Sequence, residues 1–252
     1  PNIYNFYGET YNNSGINIEN EVKIVSNPNN ADYGSTITLG NSSGDNGNIE
    51  LEGTGGSGVD NVMGVGIDSQ SNLLDSGGDL TLIGIGGTNN NYIEDSQGVS
   101  IDGGFGYGNT LKAVGKIKID GTGGSGITVE DGGGVWINGA TVKAEDLEIK
   151  GYGGTGSGFT TITWGTDINN STIKLSGTLD IYGRGGIAKT NQKLGTPTEN
   201  GGIYIFNSSI NMPNPTSLKL DGVAGDGGEW GIGTALDLNT WTIGGNTTIS
   251  GQ

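Results

Sequence analysis

Ile49-Glu50-Leu51-Glu52-Gly53-Thr54-Gly55-Gly56 is the clearest copy of a phrase that recurs along this 252-residue chain. Apolar residues alternate with polar ones and glycines follow, which is the pattern of a half-buried β-strand that ends in a tight corner. The glycines equivalent to Gly53 are separated by steps of 31, 37, 30, 32, 39 and 29 residues, and they are Gly84, Gly121, Gly151, Gly183, Gly222 and Gly251. A repeat of about thirty residues predicts a solenoid, in which each unit buries its apolar face against its neighbours.

Two further phrases recur inside each unit, and both again alternate between apolar and polar residues. The second phrase appears as Val65-Gly66-Ile67, Val99-Ser100-Ile101, Val135-Trp136-Ile137 and Ile203-Tyr204-Ile205, and the third as Leu111-Lys112-Ala113, Val142-Lys143-Ala144, Ile173-Lys174-Leu175 and Ile210-Asn211-Met212. Three period-two strands with Gly, Asn and Ser corners predict an all-β chain, a parallel β-helix with three faces and about eight coils. The segment Val22-Lys23-Ile24-Val25 is interpreted as a degenerate copy of the first phrase.

The charges in the first phrase predict how the coils stack. If successive coils pair in register, the outward positions form one row of Glu50, Thr81, Lys118, Glu148, Asp180 and Lys219. Neighbouring rows then place Asp120 beside Lys150 and Tyr152 beside Arg184. Opposite charges on neighbouring strands favour this register, and an arginine over a tyrosine ring would add a cation–π contact.

The composition excludes several classes of function. The chain has no cysteine and no histidine, so disulfides, thiol nucleophiles, zinc fingers and imidazole bases are ruled out. A net charge of −16 argues against nucleic acids and anionic membrane surfaces, since both require a basic patch. The sequence has no apolar run long enough to span a bilayer as a helix, and we expect no membrane insertion.

The phased Ile-x-Leu-x-Gly-x-Gly-Gly and Gly-Val-x-Ile phrases resemble the β-helical shaft of filamentous haemagglutinin-type exoproteins, the adhesins of bacterial two-partner secretion. The resemblance covers about residues 45–252 and implies a right-handed parallel β-helix, export to the cell surface, and a role in adhesion or biofilm contact. The secretion-domain motifs of that family do not occur in Pro1–Gly44. We therefore divide the chain into a cap or docking segment with a degenerate first coil over residues 1–44, and β-helix repeats over residues 45–252.

Aromatic residues provide the best surface signal. Trp136 and Tyr204 occupy outward positions of the second phrase, and Trp164 lies in the coil between them. Exposed aromatic rings on a flat sheet stack on sugar rings, so Trp136 and Tyr204 are candidates for glycan binding; coverage by a loop or a neighbouring chain is the alternative.

One segment matches a calcium-binding pattern. Gly55–Met63 fits the nonapeptide of calcium-binding β-rolls, with Asp60 as the candidate ligand. The pattern occurs once, and the equivalent loops at Gly123–Gly126 and Gly153–Gly156 lack the aspartate. An ordinary turn without metal is the alternative, and no other cofactor is expected.

No residue pattern predicts catalysis. Arg184 lies in a glycine turn, and the acidic pairs Glu130-Asp131 and Glu145-Asp146 are adjacent, so on a strand their side chains point to opposite faces. We expect a structural or adhesive protein at the bacterial surface or outside the cell, whose partners are glycans or the neighbouring domains of a larger adhesin. The alternatives are a filament subunit that stacks end to end with itself and, third, a polysaccharide-active β-helix enzyme.

Overall fold

The structure is a computed structural model that describes residues 16–19, 22–25, 35–38, 48–57, 62–68, 73–90, 92–103, 108–157, 162–188, 199–213, 217–226, 231–237 and 239–252. Every regular element in these ranges is a β-strand. The described ranges therefore contain no helix of the length and hydrophobicity needed to cross a membrane. The described part of the chain is all-β, as the alternating phrases predict.

Three long parallel sheets contain most of the strands. Sheet 1 comprises, in spatial order, β1 (Ile16–Glu19), β5 (Val65–Asp68), β9 (Val99–Asp102), β14 (Val135–Asn138), β18 (Thr166–Asn169), β22 (Ile203–Phe206) and β25 (Thr234–Asp237). Sheet 2 comprises β3 (Ser35–Thr38), β2 (Val22–Val25), β6 (Leu73–Ser76), β10 (Asn109–Ala113), β15 (Ala140–Ala144), β19 (Thr172–Leu175), β23 (Ser209–Met212) and β26 (Thr240–Ile243). Sheet 3 comprises β4 (Ile49–Thr54), β7 (Leu80–Ile85), β11 (Lys116–Thr122), β16 (Asp146–Tyr152), β20 (Leu179–Arg184), β24 (Ser217–Val223) and β27 (Asn246–Gly251).

Two short parallel sheets lie in the connections that lead from sheet 3 to sheet 1. One contains β12 (Ser125–Gly126), β17 (Thr155–Gly156) and β21 (Ile187–Ala188), and the other contains β8 (Tyr92–Ile93) and β13 (Thr128–Val129). From β4 to β27 the chain visits sheets 3, 1 and 2 in a constant order, and each long strand pairs with its counterpart one repeat later. This topology is compatible with a β-helix or solenoid.

The register predicted from the charges is confirmed. In sheet 3, Lys118 pairs with Glu148 and Asp180 pairs with Lys219 as neighbouring residues on parallel strands. Asp120 likewise lies beside Lys150, and Tyr152 beside Arg184. Because the strands of sheet 3 from β4 to β24 alternate, a slip of one residue would turn the apolar set outward, and burial of that set fixes the register.

The side-chain contacts within these rows differ from the predicted ones. Glu148 accepts hydrogen bonds from Lys116 and Lys150, which lie diagonally to it or on its own strand. The ring of Tyr152 packs on the ring of Tyr182, with centroids 5.6 Å apart. Long side chains reach diagonal neighbours on a sheet, so strand pairing alone does not determine the ion pairs.

Arg184 likewise departs from its predicted contact. Its Nη2 lies 3.9 Å from Asp226 Oδ2. No cation–π contact with Tyr152 is found among the described side chains.

The assignment of Val22–Val25 to the first phrase is wrong. This strand, β2, belongs to sheet 2 and pairs with β6, with Ile24 opposite Leu74. The preceding strand in the sequence, β1, pairs with β5 in sheet 1. Alternation is common to all three sheets, so a single four-residue strand carries no signal for the sheet that it joins.

The inward residues of the three long sheets form one continuous apolar cluster. It runs from Ile49 to Leu220 and consists almost entirely of isoleucine, leucine and valine that are at most a few per cent exposed. A smaller buried cluster of Val62, Ile93 and Val129 lies under the connections between sheets 3 and 1. Burial of β-branched and leucine side chains on stacked strands is the main stabilising contribution.

Small polar side chains complete the corner between sheets 1 and 2. The hydroxyl of Ser171 accepts the N–H of Ala140 at 3.1 Å, and the hydroxyl of Ser208 accepts the N–H of Ser171 at 3.1 Å. Asn239 Oδ1 accepts the N–H of Ser208 at 2.8 Å. Each coil therefore satisfies a backbone donor of the coil before it, because a buried donor without a partner is costly.

A second ladder lies on the outside of the same corner. Asn207 Nδ2 donates to Asn170 Oδ1 at 2.8 Å, and Asn170 Nδ2 donates to Asn138 Oδ1 at 3.0 Å. Asn170 and Asn207 have φ angles of 50° and 46°, in the left-handed region that asparagine tolerates better than most residues. The Asn and Ser corners of the sequence thus have a defined structural role.

Candidate functional site

Trp136, Asp167 and Tyr204 form an outward row on sheet 1. Parallel pairing places Trp136 beside Asp167 on β14 and β18, and Asp167 beside Tyr204 on β18 and β22. All three side chains are half-buried. A carboxyl group therefore lies between two aromatic residues, at the positions where alternation predicts outward side chains.

A cavity of about 230 Å³ opens beside this row. We call it the acidic cleft, and its wall consists of Asp95, Gln97, Asp131, Gly133, Trp136, Ile162, Trp164, Asp167 and Asn169. Most of these residues come from sheet 1 and from the connections that lead into it. Trp136, one of the two predicted glycan residues, lines the cleft.

The cleft exists because a glycine lies between two large residues. Gln97, Gly133 and Trp164 occupy equivalent positions in three successive coils: Gly98 N–H donates to the Gly133 carbonyl, and Gly134 N–H donates to the Trp164 carbonyl. A Cβ atom on Gly133 would lie 3.5 Å from the Trp164 carbonyl oxygen and 3.8 Å from Gln97 Cγ. The space beside Gly133 is therefore open, and Gln97 and Trp164 form the two ends of the gap.

Tyr204 supports the cleft indirectly, through its contact with Trp164. The rings of Trp164 and Tyr204 stack with centroids 5.1 Å apart and an interplanar angle of 25°, and Tyr204 stacks in turn on Phe206 at 6.1 Å. The indole of Trp164 lies over Gly201, where a Cβ atom would come within 1.8 Å of its Cζ3. Tyr204 thus holds the Trp164 ring in place and is not itself part of the cleft wall.

The carboxyl groups of the cleft are electrostatically unusual. Burial raises the pKa of Asp167 to about 7; a hydrogen bond with Asn169 opposes that rise, and the charges of Glu199 and Asp131 add to it. Burial also raises the pKa of Asp131, with further contributions from Asp95 and other acidic neighbours. Both shifts have the same physical origin, since ionised carboxylates lose hydration and repel one another in a confined site.

Two further carboxylates, those of Glu94 and Glu130, lie near Asp131. The hydroxyl of Tyr92 is 2.9 Å from Glu94 Oε2 and 2.9 Å from Glu130 Oε2. Burial and these contacts raise the pKa of the Tyr92 hydroxyl, which keeps it protonated as a donor. Glu130 therefore contacts Tyr92 while its neighbour Asp131 lines the cleft; both lie in a bend after β13, where Asp131 has a φ angle of 48°, so strand alternation does not apply to this pair.

Three polar atoms of the cleft wall are buried without a hydrogen-bond partner in the described structure. They are Gln97 Oε1, Asp167 Oδ1 and Asn169 Oδ1. The Gln97 residue is only 4% exposed. All three atoms are acceptors, and an unsatisfied buried acceptor costs about 1–3 kcal/mol, so the site is suited to a ligand that donates hydrogen bonds.

The other candidate residues are not part of the cleft. Asp60 lies outside the described residues, so the calcium prediction stays untested, and the described part holds no group of three or more acidic residues arranged for a metal ion. Asp146 Oδ1 accepts hydrogen bonds from the N–H and hydroxyl of Thr178. That contact joins two coils on sheet 3 and gives Asp146 a structural role.

Comparison of the chain with protein-family models, with curated proteins and with solved structures finds no significant match.

Proposed function

We propose that the chain is a non-catalytic structural or adhesive protein of the bacterial surface, and that the acidic cleft binds a glycan. In this proposal the three long sheets are the faces of a right-handed, three-faced parallel β-helix. The constant order in which the chain visits the sheets supports that architecture, and crossovers between parallel strands are almost always right-handed.

The proposed shaft derives its stiffness from the in-register strands. A continuous apolar core and the two corner ladders connect each coil to the next. The solenoid then acts as a spacer that presents side chains on flat faces. The resemblance to filamentous haemagglutinin-type shafts supports an extracellular location.

One observation carries the glycan proposal: two tryptophans line a single cavity together with Gln97, Asp167 and Asn169, and each of these three residues has a buried acceptor without a partner. Aromatic faces stack on the apolar faces of sugar rings, and sugar hydroxyls supply the donors that the acceptors lack. Small-molecule sites have this combination of aromatic wall and few convergent polar groups.

A glycan microarray probed with the labelled chain tests this proposal. Trp136→Ala should abolish the signals that the wild-type chain gives, whereas Tyr182→Ala, which removes an outward aromatic residue of sheet 3, should retain them. A signal that survives Trp136→Ala would place binding elsewhere. The bound glycans should then be incubated with the chain and examined for products, because cleavage would replace the non-catalytic assignment with a polysaccharide-active enzyme that uses Asp131 and Asp167.

End-to-end assembly with a second copy is the second candidate, and the last described strand of each sheet favours it. Leu236 and Ile249 pair with Ile205 and Leu220, which are fully buried, yet they are themselves 38% and 46% exposed. A further coil in parallel register, from a continuation of the same chain or from a second copy, would cover this face, and the second candidate assigns that coil to a second copy. Electron microscopy at rising concentration should show filaments that Ile249→Asp disrupts, and discrete rods at all concentrations would contradict this candidate.

A further inference from the structure

We infer that the acidic cleft selects a sugar that carries a free ammonium group, an amino sugar of the glucosamine type, over neutral and acidic sugars. The inference rests on the proposed glycan-binding function and names the class of sugar. It follows from the charge, the hydrogen-bonding capacity and the size of the site.

Charge excludes acidic sugars first. Asp95, Asp131 and Asp167 line the cleft, and the residues described around it include no lysine or arginine. Glu199 and Glu130 add negative potential, since both raise the pKa of an aspartate in the wall. A carboxylated or sulfated sugar would bring a like charge into a confined site, whereas an ammonium group would offset the repulsion between the aspartates.

Hydrogen bonding favours an ammonium group over a hydroxyl. Gln97 Oε1, Asp167 Oδ1 and Asn169 Oδ1 have no partner in the described structure, and all three are acceptors when Asp167 is ionised, the form that a neighbouring ammonium group favours. An ammonium group has three donors and no acceptor, so it matches this set, whereas each hydroxyl supplies one donor and brings lone pairs that need donors in return. Hydrogen bonds in which both partners are charged are also shorter and stronger.

The aromatic wall and the volume of the acidic cleft also fit an amino sugar. Trp136 and Trp164 lie on the same cavity as the carboxyl groups. Tryptophan is the ring that attracts cations best, and its face also stacks on a sugar ring. At about 230 Å³ the cleft is smaller than the roughly 300–1,000 Å³ of sites for drug-sized ligands, so it suits one sugar unit, with the rest of the glycan outside.

Isothermal titration calorimetry at pH 7 tests the inference on the full chain. The ligands are methyl β-glucosaminide, which carries the amine, the methyl glycoside of its N-acetyl form, methyl β-glucoside and methyl β-glucuronide. We expect the glucosaminide to bind at least about tenfold more tightly than either neutral sugar, and the glucuronide not to bind. Nα-acetyl-lysine methylamide, an ammonium without a sugar ring, should bind at least about tenfold more weakly than the glucosaminide, because it cannot stack on Trp136.

Two variants and one control test whether the preference for the glucosaminide arises in the acidic cleft. Asp167→Asn and Asp131→Asn should each reduce the advantage of the glucosaminide over the N-acetyl sugar to about threefold or less, because each removes a charge from the wall. Asp180→Asn makes the same change on the exposed face of sheet 3 and should leave the advantage unchanged. Circular dichroism confirms the fold of each variant, and the comparison of ligands on the wild-type chain requires no variant.

The outcomes separate this inference from the broader proposal. If the neutral sugars bind as well as the glucosaminide, the amine preference is wrong and glycan binding stands. If the lysine derivative binds as tightly as the glucosaminide, the site recognises amines on any carrier and the sugar assignment is wrong. If no sugar binds and the glycan array is also empty, the proposed function fails together with the inference.

Discussion

Trp136 and Asp167 are direct partners in the parallel pairing of β14 with β18, and both line the same cavity on the outward surface of sheet 1. Tyr204 is the partner of Asp167 on the other side, so the carboxyl group lies between two aromatic residues. An acidic residue in this environment loses hydration when it is ionised. The free energy of unfolding should therefore depend on Asp167 even when no ligand is bound.

The pKa of Asp167 predicts that the folded state becomes less stable as pH rises. The folded pKa of about 7 lies above the ordinary value of 3.8, so the folded chain binds more protons than the unfolded chain between about pH 4 and pH 7. The favourable contribution is present at low pH and is lost as pH rises through 7. Asp167→Asn should remove this slope and stabilise the chain at pH 8 by about 1–4 kcal/mol, measured by urea denaturation at pH 4.5 and pH 8. A slope that persists in the variant would assign the effect to other groups, Asp131 first.

The lowered pKa of Glu148 predicts a pH dependence of stability with the opposite sign, in a lower pH range. Hydrogen bonds from Lys116 and Lys150 lower its pKa from 4.5 to about 2. Its contribution to stability is present above about pH 4.5 and is lost as pH falls through 2. Glu148→Gln should cost about 1–3 kcal/mol at pH 7 and less at pH 2. Glu50→Gln changes a residue in the same outward row and should cost less than about 1 kcal/mol; an equal loss in both variants would contradict the role of the two lysines.

Two glycine-to-alanine changes should differ sharply in stability. A Cβ atom on Gly151 would lie 1.8 Å from the Gly165 carbonyl oxygen, so backbone would have to move. Gly151→Ala should destabilise the chain by more than about 3 kcal/mol. Gly133→Ala meets only contacts of 3.5 Å and 3.8 Å, and its stability should change by less than about 1 kcal/mol.

Gly133→Ala also adds a methyl group to the wall of the cleft and should weaken binding of the array-positive glycan by about tenfold or more. Thermal denaturation and titration calorimetry on the same sample measure the two effects. Unchanged affinity in a folded Gly133→Ala chain would show that the ligand does not enter the gap between Gln97 and Trp164.

The inner corner ladder should be sensitive to loss of a single hydroxyl. Ser171→Ala leaves the N–H of Ala140 without its partner, and we expect a loss of about 1–3 kcal/mol in the free energy of unfolding. Ser208→Ala should have a similar effect through the N–H of Ser171. Ser209→Ala, at a half-buried strand position beside the corner, is the matched control and should cost less than about 1 kcal/mol. Equal effects at Ser208 and Ser209 would argue against a specific role of the ladder.

Much of the strand arrangement was predictable because its signals are local. Alternation in Ile117–Asp120 and Leu147–Lys150 identifies inward and outward side chains without knowledge of any partner, and the glycines that follow fix the repeat. The opposite charges of Asp180 and Lys219 then give the register. The sheet that β2 joins was not predictable, because four alternating residues fit any of the three sheets.

The cleft could be predicted only in part. Trp136 stands out as an aromatic residue at an outward position, but Gln97 and Asp131 look like ordinary corner residues. Alignment of the glycines at Gly98, Gly134, Gly165 and Gly202 would have placed Gln97, Gly133, Trp164 and Gly201 in one column. In that column Gly133 lies between Gln97 and Trp164, so the column indicates a gap between two large side chains. This signal was present in the sequence and was not used.

The sequence by itself determined the all-β class, the thirty-residue repeat and the in-register stacking of the first phrase. Each of these depends on period-two alternation and on glycine corners, which act within a few residues of the chain. Tertiary structure alone decided the cavity, its raised carboxyl pKa values and the support of Trp164 by Tyr204. These properties depend on how the volumes and charges of side chains from successive coils fit together, and residues more than thirty positions apart carry no local signal of that fit.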